Sequence, residues 1–147
     1  NEEDCQKCLG IELDVDVTKG SIDSDKYKTL AAKVMEIYPN VEKLAVSLRE
    51  SVSADINNWS IVMATKDGFY TSKKYEIRDI VDRIGGGDSF GSGLIWGLNN
   101  LETPQAAVKF AAAASALKHT IFGDYNRVSV SDVLTLAGGD GSGRVQR

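Results

Sequence analysis

The sequence predicts an α/β protein: a mostly parallel sheet flanked by helices, with an antiparallel hairpin at its margin. Three observations carry that expectation. Apolar runs of strand length alternate with segments of helical period along the chain. A Lys66-Asp67-Gly68 turn separates two of the apolar runs. Small residues gather on the two longest helical segments of the second half, where helices can approach closely.

Taken in order, Asn1 reads as an N-cap. Glu2, Glu3 and Asp4 fill a first turn whose dipole favours carboxylates, and Gly10 is the stop. Residues 11–23 alternate without a clear face and read as loop. Ser24 or Asp25 caps the next helix, with Tyr27, Leu30, Ala31, Val34 and Ile37 on one stripe and Pro39-Asn40 as its end. Residues 43–48 form a short strand, expected to be buried and parallel because it follows a helix. Residues 58–65 and 69–72 form a hairpin across the Lys66-Asp67-Gly68 turn, and residues 75–81 are a strand that leads into a glycine run. Residues 88–99 read as a helix despite Gly91, Gly93 and Gly97; residues 105–119 form a second, alanine-rich one. A third helix starts at Ser131-Asp132 and runs to Leu136. Glycine inside a helix costs about 1 kcal/mol relative to alanine. Gly93, Gly97 and the alanines at 111–114 are therefore read as a close helix–helix contact. The chain 1–147 is one unit, with residues 138–147 as a flexible tail.

Composition narrows the function classes. The 147 residues are 42% hydrophobic and 26% charged, with 14 glycines but only 2 prolines, so the glycines are not those of a linker. A net charge of −4 leaves no basic footprint for nucleic acid. No apolar run is long enough to span a membrane and Asn1-Glu2-Glu3-Asp4 is no signal peptide, so a cytoplasmic location is expected. Cys5 and Cys8 have a CxxC spacing, but His119 is the only histidine and no second cysteine pair exists to complete a zinc site. Two reduced thiols on a short helix are expected.

The informative stretch is Ile84-Gly85-Gly86-Gly87-Asp88, between a strand and a helix. Unpaired N–H donors and the positive end of the dipole make a helix start an anion site. Glycines there let the backbone approach a phosphate without Cβ interference. Asp88 would repel that phosphate unless it faces an acceptor hydroxyl, in which case one turn of chain supplies both a base and charge stabilisation. A Walker A loop would end in Gly-Lys-Ser/Thr, and a dinucleotide fingerprint would keep a GxGxxG spacing; neither pattern is present. The competing reading is a flexible turn with Asp88 as a plain N-cap.

The segment Asp82-Arg83-Ile84-Gly85-Gly86-Gly87-Asp88, followed by Ser92-Gly93-Leu94-Ile95, resembles the second signature of PfkB-type, ribokinase-like sugar kinases. Arg83 departs from the common pattern but is similar to the version in 2-keto-3-deoxygluconate kinases, as are residues 118–126 and 141–147. The resemblance covers essentially the whole chain. It implies a ribokinase-like fold and ATP-dependent phosphorylation of the terminal hydroxyl of 2-dehydro-3-deoxy-D-gluconate. Fructokinase-like specificity, or a nucleotide-binding fragment without catalysis, are the alternatives.

Residue by residue, the resemblance makes Asp88 the base and Gly85, Gly86 and Gly87 the anion hole. Asn1-Glu2-Glu3-Asp4 matches an Asn-x-x-Glu element that helps place Mg²⁺, with Asp4 in place of glutamate. Ser47, Arg49 and Ser51 fall where the family carries a nucleotide loop, although its glycines are missing. Asp124 falls where related kinases contact the sugar, and a plain turn aspartate is the competing reading. Asn126 and residues 111–115 border the adenine or simply pack. His119 is expected to cap a helix end as a cation rather than to touch nucleotide. ATP and Mg²⁺ are the implied cofactors, and a monovalent cation is compatible. Because the Asn-x-x-Glu element stands at residue 1, the chain is expected to be the C-terminal portion of a kinase. It would then associate with its own N-terminal half or with a second copy.

Overall fold

One strand with two buried faces organises the chain. In the computed structural model, which describes residues 1–11, 24–53 and 56–139, nearly every residue of β2 (Asn57–Thr65) is buried. Its alternate residues point to opposite sides. Trp59, Ile61 and Met63 join a core under α4 (Pro104–Lys118), while Val62 packs with Val46 and Leu48 on the other side. That second side is covered by Tyr27 of α2 (Ser24–Ile37), whose Leu30 and Val34 continue inward to Cys5 and Ile11 behind α1 (Glu2–Lys7). Helices therefore cover both faces of a sheet, as the alternating pattern predicts.

The sheet itself differs from expectation. β1 (Lys43–Ser51) pairs antiparallel with β2 over its full length, β3 (Phe69–Thr71) and β4 (Tyr75–Ile77) pair antiparallel with β2 in turn, and no parallel pair occurs among the described residues. The reason is the short link after β1. Val52 and Ser53 N–H both donate to the Ile56 carbonyl, which closes a hairpin, whereas a parallel return needs a crossover of a dozen or more residues. Residues 69–77 act as one strand interrupted at Ser72, which fills the gap: its Oγ accepts from Ile61 N at 2.9 Å and its N–H donates to Ile61 O. The extended run stops at Ile77 rather than at residue 81, because Asp79 takes a left-handed backbone (φ 52).

The helices follow their caps. Asn1 and Asp4 close a capping box on α1, Gly10 terminates that segment with φ 66, and Cys5 and Cys8 form no disulfide. Thr103 caps α4 with Pro104 in its first turn, and Ser129 and Asp132 form a capping box on α5 (Val130–Gly138). Gly138 thus ends a helix rather than opening a tail, and Gly139 donates to the Thr135 carbonyl. The loop reading of residues 12–23 and the tail reading of residues 140–147 lie outside the described residues.

α3 (Gly86–Asn100) packs along α4 as the small residues predict. A Cβ on Gly93 would stand 3.2 Å from Ala114 Cβ, and one on Gly97 would stand 2.8 Å from Ala107 Cα. The second contact is with backbone and cannot be relieved by a rotamer. Gly97→Ala is accordingly expected to destabilise the chain by about 1–3 kcal/mol, the usual cost of overpacking, read as a lowered midpoint in thermal or urea unfolding. An unchanged midpoint would show that the two helices are free to move apart.

Candidate active site

The glycine run leaves the sheet under tight backbone control. After Asp79 the N–H groups of Val81 and Asp82 both donate to the carbonyl of His119, at 2.9 and 3.3 Å, fixing the approach to the end of α4. The Asp82 carboxylate then holds two loops at once. One oxygen accepts from Ile84 N and the other from Gly123 N, each at 3.0 Å. Those backbone donors, and less strongly the positive charge of Lys118, hold the Asp82 acid below the usual carboxylate range.

Gly85 makes the sharp step into the helix. Its φ is 78°, and a Cβ there would lie 1.9 Å from the backbone oxygen of Asp124. Only glycine meets both demands. Gly86 is buried: its carbonyl accepts from Ser115 Oγ at 2.8 Å, and a Cβ would stand 3.0 Å from His119 Cε1. The helix begins at Gly86, two residues earlier than expected, so Asp88 is the third residue of α3 and Gly85 is its N-cap.

That cap distinguishes α3 from its neighbours. α1, α4 and α5 each start with a side chain that satisfies first-turn N–H groups, whereas α3 has none. Gly86 N–H is engaged by the Arg83 carbonyl at 3.2 Å and Ser89 N–H by Gly85 O at 2.9 Å, which leaves the N–H groups of Gly87 and Asp88 without an acceptor among the described bonds. A Cβ on Gly87 would meet nothing within 4 Å. The start of α3 is therefore an open pair of donors at the positive end of a fifteen-residue helix. The Asp88 side chain is exposed beside them and does not cap the helix, which removes the plain N-cap reading.

Among the residues expected from sequence, Asp124 and Asn126 reach this centre. Asp124 lies over Gly85 through its main chain while its side chain is exposed. Asn126 Nδ2 donates to Ser89 Oγ at 2.6 Å and to Ala114 O at 3.1 Å, tying α3 to α4. Ala114 and Asn126 line a groove of about 280 Å³ with Ser89, Trp96, Phe110 and Val128. Trp96 and Phe110 stack in its wall with centroids 4.5 Å apart.

Ser47, Arg49 and Ser51 are not in a loop: all three lie within β1, because the hairpin pairing continues to Ser51. Their register partners are Ile61, Trp59 and Asn57, so they share the face of the sheet that meets α4. Asn1 and Asp4 bond to each other, the Asp4 carboxylate accepting from Asn1 N at 2.7 Å, and no described bond joins them to the glycine turn.

His119 departs from its expected role. The ring is buried, tilted against Trp59 with centroids 5.1 Å apart, and Nδ1 lies 2.7 Å from the Ser115 carbonyl. Burial outweighs that hydrogen bond and pulls its pKa below the ordinary 6.5. His119 thus closes the helix end as a neutral donor, not as a cation. Because the folded value is depressed, the unfolded chain takes up the proton first as pH falls through about 6.5, and stability should decline below that pH. The midpoint of thermal unfolding is expected to drop between neutral and mildly acidic pH, more steeply in the wild type than in His119→Gln. Equal slopes would remove His119 as the cause.

Sequence reasoning missed two residues that matter here. Asp82 was visible in the motif but without a role as clamp between loops. Lys118 gave a signal in its spacing, four and seven residues beyond Ala114 and Ala111 on a helix whose inward face is alanine, yet no role was read for it.

Comparison with family models and with curated proteins yields no match. Solved structures do match. Over 95% of its length the chain is similar to 2-dehydro-3-deoxygluconokinase from Thermotoga maritima, with 40% identity and a TM-score of 0.84. It is also similar to a PfkB family carbohydrate kinase from Listeria grayi (28% identity, TM-score 0.77, 95% of this chain). A candidate 2-keto-3-deoxygluconate kinase from Enterococcus faecalis matches over 100% of the chain with 25% identity and a TM-score of 0.76. The chain spans 40%, 40% and 41% of these three proteins, respectively. Its fold neighbours are thus carbohydrate kinases, in line with the resemblance in the signature segment.

Proposed function

We propose that this chain is the nucleotide-binding and phosphoryl-transfer portion of a PfkB-type sugar kinase acting on 2-dehydro-3-deoxy-D-gluconate. One observation carries the reading: the start of α3 presents the Gly87 and Asp88 N–H groups uncapped, with an exposed carboxylate on the same turn. Paired open donors on a glycine backbone suit a phosphate, and a carboxylate beside them suits an acceptor hydroxyl. The 40% identity to a 2-dehydro-3-deoxygluconokinase supports the choice of sugar acid over other sugars.

ATP fits these residues. Its phosphates would rest on the turn, and the groove of about 280 Å³ beside Asn126 and Ala114 accommodates a base. Arg49, with Ser47 and Ser51 on the same face of β1, faces the α4 side of the sheet and adds positive charge there. Among the described residues no three His, Cys, Asp or Glu side chains cluster as a metal cage. Mg²⁺ needs none, because it keeps waters and uses substrate phosphates with one or two carboxylates, for which the Asn1–Asp4 element is the candidate. Bound ATP supplies the phosphoryl group. The chain's own part is that Asp88 takes the proton from the acceptor hydroxyl while the backbone donors of the Gly85–Asp88 turn offset the growing negative charge. Asp124, whose main chain lies against the turn, is the residue we assign to contact the sugar. β1 lies at the margin of the described sheet, where further chain or a second copy can add.

The test is a thermal-shift series with Mg-ATP and the keto sugar acid, paired with an ADP-release assay. Stabilisation by Mg-ATP together with sugar-dependent ADP release is expected. Stabilisation without turnover would mark a nucleotide-binding module, and no response to Mg-ATP would sink the reading.

A further inference from the structure

Lys118 is fully buried, the largest side chain to be so among the described residues. A charged amine is costly to remove from water unless oxygens compensate it. Its Nζ donates to the Ile121 carbonyl at 3.0 Å, at the start of the loop that continues through Gly123 to Asp124. The same loop is tied back by Asp82, whose two oxygens bind the Ile84 and Gly123 N–H groups and whose acid the Lys118 charge lowers only slightly beside those donors. Lys118, Asp82 and these two loops thus form one polar unit beneath the glycine turn, with Gly85 seated directly against Asp124 O.

We infer that Lys118 is a positioning residue: a built-in cation that holds the 82–85 and 121–124 loops together, so that the donors at the start of α3 keep their orientation for phosphate. The inference rests on the reading of that turn as a phosphate site. Removing the amine leaves the Ile121 carbonyl without its donor, and the 121–124 loop, which Asp82 ties to Ile84 through Gly123, should loosen locally while the sheet core stays intact. The vacated space would be bordered by the Ile121 carbonyl, a hard oxygen donor that suits a small cation. Ammonium should therefore replace what the side chain supplied.

The experiment is amide hydrogen exchange by NMR on the full chain, for wild type and Lys118→Met, in tetramethylammonium chloride and in ammonium chloride at equal ionic strength. Gly123 and Ile84 amides should exchange about tenfold faster in Lys118→Met, while the amide of Met63 in the sheet is unchanged. Ammonium should slow them again in the variant and leave the wild type unaffected. Affinity for Mg-ATP, measured by calorimetry in the same four samples, should fall and recover in parallel. Unchanged exchange, or faster exchange that ammonium does not reverse, would overturn the inference and leave Lys118 as packing. Lys118→Gln, which can still reach the Ile121 carbonyl but has no charge, serves if the Met variant does not fold, and the same two results decide. If neither variant folds with or without ammonium, the lysine supports the whole fold and the positioning role is wrong. A wild type that does not bind Mg-ATP would sink the kinase reading, while the exchange data would still decide the role of Lys118.

Discussion

Asp88→Asn is expected to lower sugar-dependent ADP release by about 10²–10⁴-fold while leaving affinity for Mg-ATP nearly unchanged, the range over which a positioned general base contributes. The substitution keeps the size of the side chain and removes its capacity to hold a proton. Its structural cost should be small. Asp88 is exposed, does not cap α3, and makes no described hydrogen bond or ion pair, so the helix start does not depend on it. Loss of a negative charge beside a phosphate site would if anything favour ATP. A fall in kcat without a matching loss in ATP binding therefore separates a base from a structural carboxylate. Turnover retained at the wild-type rate would remove the assignment. A joint loss of turnover and stability would show that the carboxylate holds the turn.

How far the sequence discloses this site depends on which residues are asked. The glycine run was legible as a strand-to-helix turn because its constraints are local, although the helix begins at Gly86 and not at residue 88. The small-residue contact between α3 and α4 was legible for a related reason, since glycine at 93 and 97 is otherwise a poor choice inside a helix and the alanines opposite leave room for a close approach. The direction of strand pairing was not. Whether β1 returns parallel or antiparallel depends on how the 52–56 link closes, and that link has no glycine or proline to announce a hairpin. The same pairing drew Ser47, Arg49 and Ser51 out of an expected loop and into a strand.

Charge was the hardest property to read. His119 and Lys118 look alike in sequence, two basic residues at the end of an alanine-rich helix where a cation is favourable. In the fold His119 is buried against Trp59 and driven toward its neutral form, while the buried Lys118 is satisfied by a carbonyl and acts on Asp82. What separates them is tertiary: the loop after α4 folds back over Lys118. No periodicity within α4 encodes that return.

Gly85→Ala should have the largest effect on the fold of the site. Two independent penalties fall on one methyl group. A left-handed backbone at φ 78 costs an L-residue about 1–3 kcal/mol where the surroundings enforce it. The Cβ would also lie 1.9 Å from Asp124 O, a backbone atom, so the 121–124 loop has to move. Moving it strains the Gly123 N–H bond to Asp82 and with it the alignment of Ile84. A lowered unfolding midpoint is expected, together with loss of the stabilisation by Mg-ATP. Gly87→Ala provides the contrast, since no heavy atom lies within 4 Å of a Cβ there. That variant should unfold near the wild-type midpoint yet bind Mg-ATP more weakly, because the methyl occupies the space through which a phosphate would approach. If Gly87→Ala binds Mg-ATP as the wild type does, the open donors of α3 are not where the phosphates rest. If Gly85→Ala retains both stability and the ATP response, Asp124 is not held against the turn, and the clamp built on Asp82 fails with it.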